Sequence, residues 1–142
     1  MYNSKDIRLK LLAGLIDTDG TVSREGTRIS IVQGIVHEEL AYQIDYLVRS
    51  LGFKSSAIVI NTSWFWKGEK KNGEGVHIEI SGDGVEEIPT LLPRKKCANP
   101  LRRNTCNTGP IKIKEVETSE CICIEIDSNQ RFLLEDFTVL HV

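Results

Sequence analysis

The chain has 142 residues, of which 40% are hydrophobic and 27% charged, with four prolines and a net charge of -2. This composition suits an ordinary globular domain with a real core and excludes a disordered chain, and no apolar run approaches the roughly 20 residues needed to span a bilayer. Met1-Tyr2-Asn3-Ser4-Lys5-Asp6 lacks a signal peptide's charged and apolar regions, so a soluble, intracellular protein without a membrane partner is expected, nuclear if its source is eukaryotic.

The first predicted element runs from Ile7 to Ile16, rich in leucine and free of proline. It reads as a short buried helix, with Gly20 placed to close it in the left-handed conformation. Thr21 to Val36 alternates through Arg28, Ile29, Ser30 and Ile31 with Gly26 at a turn, which predicts a hairpin whose polar face shows Arg28 and Ser30. From Glu38 to Leu51 the residues Leu40, Ile44, Leu47 and Leu51 fall at helical spacing, and Gly52 follows as a stop. Ser55 to Trp66 and Val76 to Ser81 predict a second hairpin, joined by the polar stretch Lys67 to Gly75. Asp83 to Leu92 reads as a third helix stopped by Pro93. Short strands are expected at Ile111 to Val116, Cys121 to Ile126, Phe132 to Leu134 and Thr138 to Leu140.

This order predicts an α+β fold: an αββαββα domain over 1–109 and a short all-β tail over 110–142. Helices would cover one face of an antiparallel sheet and leave a polar face free to lie along a DNA groove.

The small acidic surplus argues weakly against nucleic-acid binding, because DNA-binding domains usually carry a basic excess that releases counterions. The distribution of charge points the other way. Arg94, Lys95, Lys96, Arg102, Arg103, Lys112 and Lys114 occupy a stretch without one acidic residue, which is either a phosphate-binding loop or a solvated charge run. Cys97, Cys106, Cys121 and Cys123 form no CxxC pair, so free thiols are expected rather than zinc.

The segment that carries chemistry is Leu12-Ala13-Gly14-Leu15-Ile16-Asp17-Thr18-Asp19-Gly20. Taken alone, Asp-Thr-Asp-Gly is most often a turn. An EF-hand loop does not fit, since the glycine comes two residues too early and Arg28 stands where the bidentate glutamate is needed. Asp19 faces the negative end of the helix macrodipole, a position that favours a cation by about 0.3 to 1 kcal/mol. A bound divalent cation would reverse that penalty.

The nine residues resemble the consensus that names the LAGLIDADG homing endonucleases, departing from it only at Thr18, where the family has alanine. The resemblance covers nearly the whole chain, and the chain looks most like the second half of an intein of the yeast vacuolar-ATPase type. Arg49-Ser50-Leu51-Gly52 matches the close of that family's second helix, and Lys95-Lys96-Cys97 its basic pair. The resemblance implies a saddle-shaped antiparallel sheet that binds double-stranded DNA, and site-specific, Mg2+-dependent cleavage. Small residues at Ala13 and Gly14 would let two such helices approach and bring two aspartates together. A second LAGLIDADG half is therefore implied, from a homodimer or from a missing N-terminal half.

On this resemblance Asp19 is the catalytic and metal-binding carboxylate, and Lys96, less so Lys95, the lysine near the scissile phosphate. Arg24, Arg28, Ser30, Arg94, Lys95, Arg102, Arg103 and Lys112 are the expected DNA contacts. The closing stretch Phe132 to His141 resembles the last intein motif, in which His141 would assist asparagine cyclisation and Asp127 belongs to the splicing-like residues. Val142 has no nucleophile for that step. Two other functions stay open: a splicing fragment, and a DNA-binding domain that does not cut. Trp64 and Trp66 share one side of a strand, which favours sheet packing over DNA contact. His77 and Glu79 share the polar side of the second hairpin, where Glu79 would accept from cytosine N4 or else repel phosphate.

Overall fold

A computed structural model of the chain describes residues 3–98, 112–120, 125–126 and 130–141. The chain divides into two compact units, Met1–Cys106 and Asn107–Val142.

In the first unit, helix α1 (Lys5–Asp19) starts at Ser4, whose hydroxyl accepts from the Ile7 amide at 3.4 Å, with Asp6 in the first turn. Both features satisfy the positive end of a helix. The helix buries Leu12, Ala13 and Ile16. It ends at Gly20, where the expected left-handed cap is not found: φ is -73° and ψ is 155°. Glycine is required there by space, because a Cβ would lie 2.8 Å from both Cα and the carbonyl oxygen of Ile16.

Strand β1 (Thr21–Val22) turns through Gly26 at φ +71° into β2 (Ile29–Gly34). A 3-10 turn (Ile35–His37) then leads into α2 (Glu38–Ser50). The inner face of α2 buries Ala41, Ile44, Leu47 and Val48, whereas Leu40, expected on that face, is exposed. Its spacing fits Ile44, but Ala41 occupies the position nearer the core. The helix ends as predicted at Gly52, φ +89°, where the Gly52 amide donates to Arg49 and the Phe53 amide to Val48. This pair of bonds, with Phe53 and Val48 both buried, is a Schellman cap. Gly52→Ala forces a side chain into the left-handed region, and urea unfolding is expected to show a loss of about 1 kcal/mol.

Strands β3 (Lys54–Trp66) and β4 (Glu69–Ser81) pair along their full length across a two-residue turn, Lys67-Gly68, with φ +49° and +82°. The polar link expected from Lys67 to Gly75 is thus mostly strand. Two successive positive φ values give a turn whose twist matches that of the strands, so the ladder continues although Glu69 to Gly75 have weak strand preferences. The sheet order is β1-β2-β4-β3, all antiparallel. Because β2 ends opposite Gly75, the outer half of the β3–β4 hairpin projects past it as a two-stranded ribbon.

The α+β class holds, with one correction to its last element. In place of a helix from Asp83 to Leu92 there is one 3-10 turn, Val85–Glu87, and a second, Pro93–Lys95, follows it. Pro89 falls in the middle of the expected helix and restricts Ile88, found at ψ 122°, to extended backbone. Leu12, Ile16, Ile29, Ile31, Ile44, Val48, Val76, Ile78, Ile80 and Val85 fill the space between helices and sheet.

In the second unit, β5 (Arg131–Leu133) and β6 (Val139–His141) form a hairpin, close to the strands expected at Phe132 to Leu134 and Thr138 to Leu140. The strand expected at Ile111 to Val116 is not found over 112–116, where Ile113 and Val116 are strongly exposed. An alternating pattern makes a strand only when a neighbour takes its backbone bonds and covers its apolar side. Most of Cys121 to Ile126 lies outside the described residues, and residues 125–126 carry no strand.

Candidate functional site

The helices cover the sheet face built from Ile29, Ile31, Val76, Ile78 and Ile80, all buried. Alternation then puts their neighbours on the other face. There the register aligns Ser30, Glu79 and Ser56 in one row and Val32, His77 and Ile58 in the next. Arg28 reaches this face and approaches Glu79 at 3.4 Å; both are open to solvent, so the pair adds little stability. Arg28, Ser30, His77 and Glu79 thus share a helix-free surface, and Arg24 lies exposed in the turn before β2. Trp64 lies against Gly73 on this side, where a Cβ would stand 3.0 Å from its ring, and it remains 50% exposed, so the expected sheet packing covers only part of it. Trp66, beyond it, is 62% exposed.

Asp19 ends α1 with an exposed side chain that makes no hydrogen bond or ion pair among the described residues. Asp17 has a different environment, which the sequence did not reveal. Its two carboxylate oxygens accept the backbone amides of Leu91 and Leu92, at 2.8 and 3.1 Å. From there the chain turns through Pro93–Lys95, and the Lys95 ammonium donates to the Gly20 carbonyl. Ala98 then donates its amide to the Gly26 carbonyl at 2.7 Å. The basic segment therefore runs beside β1, with Lys95 at the end of α1 while Lys96 and Arg94 point to solvent. Of the two lysines, the structure places Lys95 at the motif.

Arg102, Arg103 and Asp127 lie outside the described residues. Lys112 is exposed in the second unit, and His141 contributes the last residue of β6. Cys97 packs against the core; burial, and then the charge of Glu86, push its thiol up, which keeps it protonated and a poor nucleophile. No group of three His, Cys, Asp or Glu side chains able to hold a metal occurs among the described residues. Asp19 fits Mg2+ as a single hard oxygen ligand, free of competing partners among the described residues. The remaining oxygens would come from outside this unit.

The outward side of α1 is partly apolar. Ile7 and Leu11 are 52% and 57% exposed, and Gly14 has no atom within 4 Å of where a Cβ would stand. The Thr18 hydroxyl donates back to the Gly14 and Leu15 carbonyls, at 3.2 and 3.1 Å. Ile7, Leu11, Gly14 and Thr18 follow helical spacing and form a stripe opposite the one that packs on the core. Ala13, expected on the stripe with Gly14, is buried in the domain's own core instead.

Residues 6–87 match the family model of the LAGLIDADG-like domain, from the first turns of α1 through the sheet. The chain belongs to the LAGLIDADG family. This is a family of DNA-binding endonucleases, and its motif segment is the end of α1 just described. The LAGLIDADG match stops before Lys95, so the basic segment is read from this chain's own geometry. Over 128 residues, 84% of the chain, it is 32% identical to part of the ATP-dependent DNA helicase Hel308 of Thermococcus kodakarensis, covering 11% of that protein. Over 140 residues it is 26% identical to part of the replicative DNA helicase DnaB of Mycobacterium intracellulare, covering 23%. The LAGLIDADG chain therefore spans only a minor part of these curated relatives. Among the described residues no helix is long and apolar enough to cross a membrane.

Proposed function

We propose that this LAGLIDADG domain is one half of a site-specific double-stranded DNA endonuclease that hydrolyses phosphodiester bonds with Mg2+. The observation that carries the reading is the unpartnered Asp19 carboxylate at the end of a helix that is apolar on two sides. One side is satisfied by the domain's own core; the other, Ile7, Leu11, Gly14 and Thr18, is suited to a second such helix. Pairing of the two helices would bring two Asp19-type carboxylates together.

Mg2+ held by Asp19 and substrate phosphate oxygens would neutralise the charge that builds on the phosphate during cleavage. The chain's own groups do the rest. Lys95 keeps two N–H donors beyond the one given to Gly20 and offers them to the phosphate, while Lys96 and Arg94 face the backbone from the same segment. Arg28, Ser30, His77 and Glu79 meet base edges in the major groove, with Arg24 on the adjoining phosphates. Arg102, Arg103 and Lys112 are further phosphate contacts read from the sequence alone.

An origin in an intein, of the type found in yeast vacuolar ATPase, is part of this proposal. The similarity to small parts of two differently named helicases is the pattern a mobile insertion leaves. The β5–β6 hairpin supplies the strands expected of an intein's closing segment, with His141 and Asp127 in splicing-like roles. Such a protein works inside the cell, in the nucleus where the host is eukaryotic.

The test is the mass in solution by light scattering, together with sequencing of the ends produced on genomic DNA with Mg2+. A dimer that leaves paired ends at fixed sites supports the reading. A chain that dimerises and binds duplex DNA but leaves no ends supports a DNA-binding domain without cleavage. Gly14→Leu fills the gap in the stripe and is expected to shift the mass to that of a monomer without lowering the unfolding midpoint, since no atom lies within 4 Å of where a Gly14 Cβ would stand.

A further inference from the structure

The two aspartates of the motif are not equivalent. Both oxygens of Asp17 are occupied, each by one of two successive backbone amides, so this carboxylate has little left to offer a metal. What it holds is the start of a short strap. Leu92, one end of the clamp, accepts the Lys95 amide at 2.8 Å, and Pro93 fixes the backbone between them. The other end of the strap is the Lys95 ammonium on the Gly20 carbonyl. Both anchors therefore sit at the end of α1, on either side of Asp19 in sequence.

We propose that Asp17 is a positioning residue: it clamps residues 91–95 and thereby holds the Lys95 ammonium at Gly20, the residue that follows Asp19. The catalytic consequence rests on the endonuclease reading above; the clamp itself does not. A carboxylate is the right group for this task because it presents two acceptors to two donors. Asparagine has the same shape but turns an NH2 group toward one of the amides. The open carboxylate and the occupied one then divide the work, Asp19 facing the phosphate and Asp17 keeping the lysine in place.

The experiment compares the wild type with Asp17→Asn, and with Asp17→Glu as a second variant that keeps the charge but moves it by one methylene. Limiting acylation with an amine-reactive ester, read residue by residue by mass spectrometry, reports Lys95 without DNA or cleavage. Loss of a charge-assisted hydrogen bond is expected to speed exchange of the Leu91 and Leu92 amides about tenfold and to raise Lys95 labelling toward that of Lys96. On duplex substrate, single-turnover cleavage is expected to fall about tenfold while DNA affinity stays within about twofold. In a Lys95→Met background Asp17→Asn should cost nothing more, because its effect runs through Lys95. Unchanged Lys95 labelling in both variants overturns the clamp, and an equal loss in the Lys95→Met background overturns the route through lysine. A wild type that never cuts, with Lys95 labelling still responding to Asp17→Asn, overturns the endonuclease reading and leaves the clamp standing.

Discussion

Asp19→Asn is expected to lower cleavage about a thousandfold or more, the size of effect that follows when several kcal/mol of metal-assisted charge stabilisation is lost. Duplex binding should stay close to the wild-type value. The substitution leaves the helix end its shape and touches no hydrogen bond among the described residues, so stability has no reason to fall. Removing a negative charge that faces the negative end of α1 favours the folded state slightly. The measurements are single-turnover cleavage with Mg2+, a binding isotherm on the same duplex, and a thermal melt. A variant that cuts like the wild type removes Asp19 from the chemistry. One that neither binds nor melts normally shows a structural role instead.

The largest loss of stability is expected from Ile78→Ala, about 2 to 5 kcal/mol by urea unfolding. Ile78 is completely buried in β4, paired with Ile31 on one side and Ala57 on the other, and truncation leaves a cavity in the core between sheet and helices. That is a large part of the 5 to 15 kcal/mol that holds a typical domain. Ile58 provides the control. It lies on the helix-free face opposite His77 and is 55% exposed, so Ile58→Ala should change stability by no more than about 0.5 kcal/mol. If the two substitutions cost the same, the division of the sheet into a core face and a free face is wrong.

How much of this was legible in the sequence depended on whether the signal was local. The helical spacing of Ile44, Leu47 and Leu51 with Gly52 behind them sufficed for α2 and its end. The alternation around Ile29 and Ile31 sufficed for β2 and for which side Ser30 would take. The third helix failed on a local signal passed over, Pro89. The extent of β4 failed for a different reason: Lys70, Lys71 and Asn72 have no strand preference, and they are held by pairing with Phe65, Trp64 and Ser63 across a tight turn.

At the site, the place of Asp19 at the end of α1 followed from the motif. The role of Asp17 did not, because its partners Leu91 and Leu92 are far away in sequence and are joined to it through backbone amides, which leave no trace in side-chain pattern. The preference for Lys96 over Lys95 rested on the family resemblance of the basic pair. The backbone turn at Pro93–Lys95 decides which of the two reaches Gly20. The stripe Ile7, Leu11, Gly14 and Thr18 was not read from the sequence, which set Ala13 beside Gly14; telling which side of α1 faces the core required the sheet.

The place of β3 at the margin of the sheet has a practical consequence. Among the described residues no strand pairs with its outer edge, thirteen residues long, and near its start the Ser55 carbonyl accepts from the Arg49 guanidinium at 3.3 Å. Ile58, Val59 and the aromatic run Trp64 to Trp66 are solvent-accessible along that border. An unpaired border of this length is a ready template for strand addition by another chain. The lysines near the ribbon tip act as gatekeepers, and raised salt, which weakens their mutual repulsion, removes that protection. Concentrated stocks of the fully folded protein would then be lost to intermolecular β-sheet, without any unfolding of the core.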